Sequence, residues 1–142
     1  MSNYNKIGHF DGIVLGSNTT NQVLYTTYQT EITLPNGSTT EVDDNITNNK
    51  GAFLPIAVGI HIIDKPNNEI TIDMKSGTDI LFDDITLVTS TGFKGIYQPN
   101  GNAANTGKFI TNGSKLKVKP SGDPGAATKL RLTFIGFYMS DT

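Results

Sequence analysis

The chain predicts an all-β protein: an antiparallel β-sandwich, jelly-roll-like, of about 8–10 strands, carrying an extended N-terminal arm. Three observations predict it. The 142 residues include 19 Thr, 15 Gly and 14 Asn. Thr and the β-branched apolar residues suit a pleated surface, whereas Asn and Gly suit tight turns. Apolar residues alternate with period two in one segment after another, and no segment shows convincing amphipathic-helix spacing. Turn signals recur about every 8–12 residues, the spacing of a sandwich or barrel. Strand number and length favour the jelly roll. A chain of this size buries a core without disulfides or metals, and it reads as residues 1–22, an arm, followed by residues 23–142, one sandwich domain.

The arm is polar and Gly-rich, with one apolar run, Ile13-Val14-Leu15, which predicts a single short strand. Residues 23–34 follow as a long strand. Leu24, Thr26, Tyr28, Thr30, Ile32 and Leu34 share one face, and Val23, Tyr25, Thr27, Gln29 and Glu31 the other. Pro35-Asn36-Gly37-Ser38 is a turn, with Pro at a fixed φ and Gly free to take φ > 0, and residues 39–42 are expected as its hairpin partner. Residues 43–51 read as a polar loop. Residues 53–63 are the candidate central strand, with Leu54, Ile56, Val58, Ile60 and Ile62 on one face. The other face, Phe53, Pro55, Ala57, Gly59, His61 and Ile63, is small or apolar, as in a strand covered on both sides. Pro55 predicts an irregular start to it.

Residues 64–68 turn the chain, and residues 69–74 alternate with Ile70, Ile72 and Met74 inward. Ser76-Gly77 turns it again. In residues 80–89 the alternation slips at Asp83-Asp84, the mark of a bulge. A short strand at 93–97 and a loop at 99–107 come next, then a tight hairpin across Asn112-Gly113 joining 109–111 to 114–119.

The C-terminal pair has the clearest patterning. Lys115, Lys117 and Lys119 share one face and Leu116 and Val118 the other, a solvated row of cations over a buried face. Such a row either discourages edge-to-edge aggregation or docks against an acidic partner. In the last strand Leu130, Leu132, Phe134, Gly136 and Tyr138 lie on one side. The other side begins with Arg131 and Thr133 and turns apolar at Ile135, Phe137 and Met139. Two readings follow: the strand runs through the middle of its own sandwich, or those three side chains sit in a subunit interface, where aromatics and Met are enriched.

Charge divides the chain. Residues 108–142 carry a net +4, and residues 1–107 a net −6, for −2 overall. That balance makes nucleic acid a poor partner. The N-terminus lacks the apolar run of a secretory signal, and no apolar run reaches the roughly 18 residues of a membrane span, so no membrane partner is expected. With no Cys, thiol nucleophiles, structural disulfides and Cys-type zinc sites are excluded. His61 reads as a packed strand residue and His9 as a surface one. Asp43-Asp44-Asn45 offers oxygen ligands to calcium but lacks the Gly and terminal Glu of an EF-hand loop. Gly92–Gly95 and Gly122–Gly125 fail the phosphate-loop patterns because no helix follows. Asn18, Asn36, Asn45 and Asn112 head glycosylation-type triplets, which so Asn- and Thr-rich a chain produces by chance. No enzyme, catalytic residue, metal or cofactor is expected.

An ordered polar arm, a cysteine-free Asn/Thr/Gly-rich β body and the ending KLRLTFIGFYM at 129–139 together resemble the small all-β accessory proteins of bacteriophage virions, of capsid-decoration, head-fibre or tail-attached type. The resemblance runs the length of the chain in style and rests on no diagnostic motif. It implies a non-enzymatic structural role and self-association, with a trimer favoured. It also implies attachment to other virion proteins of a particle assembled in the host cytoplasm. The candidate interface is then Ile135, Phe137 and Met139, with Lys115, Lys117 and Lys119. The alternative is a lectin-like sandwich binding carbohydrate or another ligand through exposed loops, with Tyr97, Asn100 and Asn102 as contacts.

Overall fold

The computed structural model describes residues 4–7, 10–17, 22–47, 51–99 and 115–140, and these form ten strands. In chain order they are β1 (Tyr4–Ile7), β2 (Phe10–Ser17), β3 (Gln22–Leu34), β4 (Val42–Thr47) and β5 (Gly51–Asp64), then β6 (Ile70–Ser76), β7 (Asp79–Leu87), β8 (Gly92–Tyr97), β9 (Lys115–Pro120) and β10 (Thr128–Ser140).

They build a six-stranded sheet, β1-β2-β3-β10-β5-β8, and a four-stranded sheet, β4-β9-β6-β7. Every pairing is antiparallel. From β3 onward the pairing is nested: β3 with β10, β4 with β9, β5 with β8 and β6 with β7. A long antiparallel ribbon of this kind then folds over itself, so that β10 also pairs β5 and β9 also pairs β6. This is the jelly roll, two interlocked Greek keys on two sheets.

The inward faces supply one core. Leu24, Ile32 and Leu34 of β3, Val58, Ile60 and Ile62 of β5, and Leu130, Leu132 and Phe134 of β10 come from the larger sheet. Ile72, Met74, Phe82, Leu87, Leu116 and Val118 meet them from the smaller one. Phe82 and Phe134 join the layers ring to ring, with centroids 6.0 Å apart. Each fully buried side chain of this size contributes about 1.5–3 kcal/mol. Gly37 at φ 78° and Gly77 at φ 62° occupy the left-handed region at the two expected turns. The bulge at Asp83-Asp84 is present, with Asp84 at φ 53° and register shifts opposite it on β6.

Four expectations need correction. Residues 1–22 hold two strands where one was expected; β1 pairs β2, and β2 pairs β3, extending the six-stranded sheet. Residues 39–42 are not the hairpin partner of β3, because β2 and β10 already occupy both of its edges and the chain crosses to the other sheet. Residues 43–47, expected in a polar loop over 43–51, are strand: Val42–Thr47 is β4, paired with β9, and Gly51 opens β5. The face assignment of β5 breaks in the middle. Ala57 pairs Ile135 and Pro55 pairs Gly136, so Ile56 is looped out of register and the inward parity flips. Phe53 is therefore buried, and Ile56 is exposed. Residues 109–114 of the expected hairpin, most of the 99–107 loop and His9 lie outside the described residues, while 115–119 fall in β9.

Candidate functional site

Strict alternation in β10 gives the outer face of the six-stranded sheet its character. With Leu130, Leu132, Phe134 and Tyr138 fully inside, Arg131, Thr133, Ile135, Phe137 and Met139 must point outward, and they are half-buried or exposed. Phe137 packs against Tyr25 of β3, ring centroids 5.6 Å apart. Ile56 stands out from the β5 bulge, and Met139 is 37% exposed. Across β5, the edge strand β8 presents Phe93 and Ile96, each 62% exposed.

Between β8 and β10 runs a trough of about 210 Å³. Its floor is Gly59, its walls are Phe93, Ile96 and Ile135, and its polar end holds His61 and Arg131. Arg131 Nη2 donates to Glu31 Oε2 at 3.3 Å, and Lys129 lies 3.7 Å from the other oxygen of the same carboxylate. Arg131 and Lys129 thus share the one Glu31 carboxylate at the polar end, and the walls of the trough are apolar.

The opposite outer face, on the four-stranded sheet, is ionic. Lys115, Lys117 and Lys119 project from β9 while Leu116 and Val118 fill the core beneath. Lys117 lies 4.0 Å from both Glu41 and Asp43, and Lys75 donates to Glu41 at 2.7 Å. That hydrogen bond, reinforced by the charges of Lys75, Lys117 and Lys119, holds the Glu41 carboxyl below its ordinary range. The six residues singled out from the sequence therefore do not form one surface. Ile135, Phe137 and Met139 share the apolar face; the three Lys share the ionic face behind it.

No protein-family model matches the chain, and no curated protein matches it. Among solved structures its fold is similar to phage capsid proteins. Over 92% of this chain and 92% of the other, it matches the capsid of Ralstonia phage GP4, at 15% identity and a TM-score of 0.47. It matches the cyanophage Pam1 capsid over 87% and 89%, at 11% identity and a TM-score of 0.46. For the capsid of Helicobacter pylori bacteriophage KHP30 the values are 86% and 94%, with 9% identity and a TM-score of 0.43. At these identities the likeness concerns the fold alone.

The polar residues weighed for chemistry fall in different places. Asp44 is buried in β4, where its carboxylate accepts the Tyr28 hydroxyl at 2.6 Å, so Asp43 and Asp44 do not open together onto a loop. Burial first, and then that hydrogen bond, push the Tyr28 phenol far above its ordinary range and keep it protonated. His61 lines the trough. Tyr97 packs against the core, while Asn100 and Asn102 lie outside the described residues. Sequence reasoning paired Asp83 with Asp84 but missed Asp73, which the β6–β7 pairing brings to them. The three carboxylates lie within 4.8 Å of one another, and Asp73 accepts the Asp84 backbone N–H at 2.9 Å. A hydrogen bond to Asp73, partial burial and the neighbouring charges push the Asp83 carboxyl up. The bulge was legible at 83–84, as was the strand at 69–74; the register that sets Asp73 beside the bulge was not.

Proposed function

We propose that this chain is a non-enzymatic structural protein of a phage particle, decorating it or attached to it, whose sandwich associates with further copies of itself and with other virion proteins. Three copies is the assembly the sequence resemblance favours. The phage particle enters this reading from that resemblance.

The self-association rests on one observation, the contrast between the two outer faces. One is closed by its own ion pairs. The other leaves Phe93, Ile96, Phe137 and Met139 wholly or partly in water beside Ile56 and Tyr25. Contiguous apolar patches of that sort on a β-sheet mark contact surfaces, and the residue types are those enriched at interface centres. Burying each such side chain against a partner contributes about 1.5–3 kcal/mol. The ionic face suits the solvent side, since Glu41 and Asp43 answer Lys117 and Glu41 also takes Lys75.

Native mass spectrometry at micromolar concentration tests this reading. Stable oligomers are expected, and their mass gives the copy number directly; a strictly monomeric chain overturns it.

A further inference from the structure

Two glycines on the β5–β10 pair have opposite explanations. At Gly136 a Cβ would land on the Leu54 carbonyl oxygen and sit 3.0 Å from the Phe53 ring, so the fold itself demands glycine there. At Gly59 a Cβ would meet only Phe93 Cε2 at 3.5 Å, with Thr133 at 3.9 Å and beyond, all ordinary contacts. Among the described residues nothing requires Gly59. A glycine in a strand interior costs conformational entropy and gives up a packing side chain, and where no neighbouring backbone needs the space it marks the close approach of something from outside. Here its consequence is the open floor of the trough between Phe93, Ile96 and Ile135.

We propose that this trough is a socket for the apolar row Tyr25, Phe137 and Met139 of a second copy of the chain. The inference rests on the self-association proposed above and names its contact. The row lies on the same outer face, about 13 Å along β10 from Thr133, so one surface carries both the socket and what fills it. Each copy carries both parts, so the row of one copy enters the socket of the next, reciprocally in a pair or head to tail around a three-copy ring, and either arrangement closes. Size is near the lower bound. β3, β10 and β5 span about 14 Å by 27 Å between Arg131 and Met139, and β8 adds width only beside Val58–Ile62, so the face offers roughly 450 Å² in projection and two copies about 900 Å² together, close to the roughly 1,000 Å² that a specific interface needs.

The test uses two variants and their mixture. Gly59→Leu fills the socket from its floor, at a position whose Cβ the fold accepts. Phe137→Ser removes the middle of the row at a half-exposed site outside the core. Each variant alone is expected to self-associate roughly tenfold more weakly than the parent, or worse, by native mass spectrometry and sedimentation. Mixed one to one, they are expected to form a heterodimer that neither forms alone, because the Phe137→Ser copy keeps an open socket and the Gly59→Leu copy keeps an intact row. A parent chain that is monomeric overturns the self-association and this contact together. A parent that assembles while both variants assemble equally well, or a mixture without the heterodimer, leaves self-association standing, assigns the trough to a different occupant and overturns this proposal.

Discussion

Replacing Gly136 by Ala adds one methyl group where β10 lies hard against the backbone of β5. The new Cβ would fall on the carbonyl oxygen of Leu54 and come within 3.0 Å of that residue's carbonyl carbon and of Phe53 Cζ. Two of those atoms are backbone, which cannot swing aside as a side chain does. They belong to the stretch of β5 where register slips between Ala57 and Pro55, so relief requires β5 to separate from β10 along its most buried edge. Overpacking of this kind costs about 1–3 kcal/mol, and a backbone obstacle places the cost near 3 kcal/mol. For a chain of this length that corresponds to a fall of roughly 10 °C in Tm. Gly59→Ala, on the partner strand of the same pair, is the control. Its Cβ meets only ordinary contacts, and the unfolded chain loses freedom, so it is expected to be neutral or to stabilise by about 0.5 kcal/mol. Thermal unfolding followed by circular dichroism, with urea titration at one fixed low concentration so that association does not shift the midpoint, reads both. The reasoning is refuted if Gly136→Ala unfolds within about 0.5 kcal/mol of the parent, or if Gly59→Ala is destabilised as strongly.

Tyr28→Phe takes a hydroxyl donor away from the buried Asp44 carboxylate, which is expected to cost about 1–3 kcal/mol in urea midpoint; a loss under about 0.5 kcal/mol would show that the 2.6 Å bond contributes little. Asp83→Asn is expected to stabilise at neutral pH, by a few tenths of a kcal/mol for so accessible a site. The sign follows from the raised carboxyl. The native state holds the Asp83 proton more tightly than the unfolded chain does, so the parent loses stability as pH rises from about 3.8 through the elevated value. The Asn variant avoids that loss, and its advantage should vanish below the ordinary Asp value; an advantage that persists in acid would point to a packing effect instead.

Much of the fold was legible because alternation is a local property. Whether a side chain in β3, β6 or β10 points inward follows from period two, and the inward residues Leu24, Ile72 and Leu132 are all fully buried. Turns were legible for a similar reason. Gly37 and Gly77 take positive φ where the chain must reverse, and the broken pattern at Asp83-Asp84 did mark a bulge. Strand partners were a different matter. β3 pairs with β10, so that Glu31 meets Arg131 one hundred residues further on. No local signal distinguishes that pairing from a hairpin through Pro35-Asn36-Gly37. The register across the Ser76-Gly77 turn hid Asp73 beside Asp83 and Asp84, and the distant pairing of β4 left Asp44 looking like a loop residue when it is the partner of Tyr28.

The candidate surface divides along the same line. The sequence by itself determined that β10 is apolar on both sides toward its end and that Lys115, Lys117 and Lys119 stand over a buried face. Both follow from the order of residues within one strand. Only the tertiary structure decided that these two features lie on opposite faces of the sandwich, that Glu41 and Asp43 already answer Lys117, and that β8 brings Phe93 and Ile96 beside Ile135 to leave a trough over Gly59. Those relations depend on which sheet each strand joins. The strand choice is settled by burying the apolar faces of both sheets together, a long-range balance that no single segment of the chain encodes.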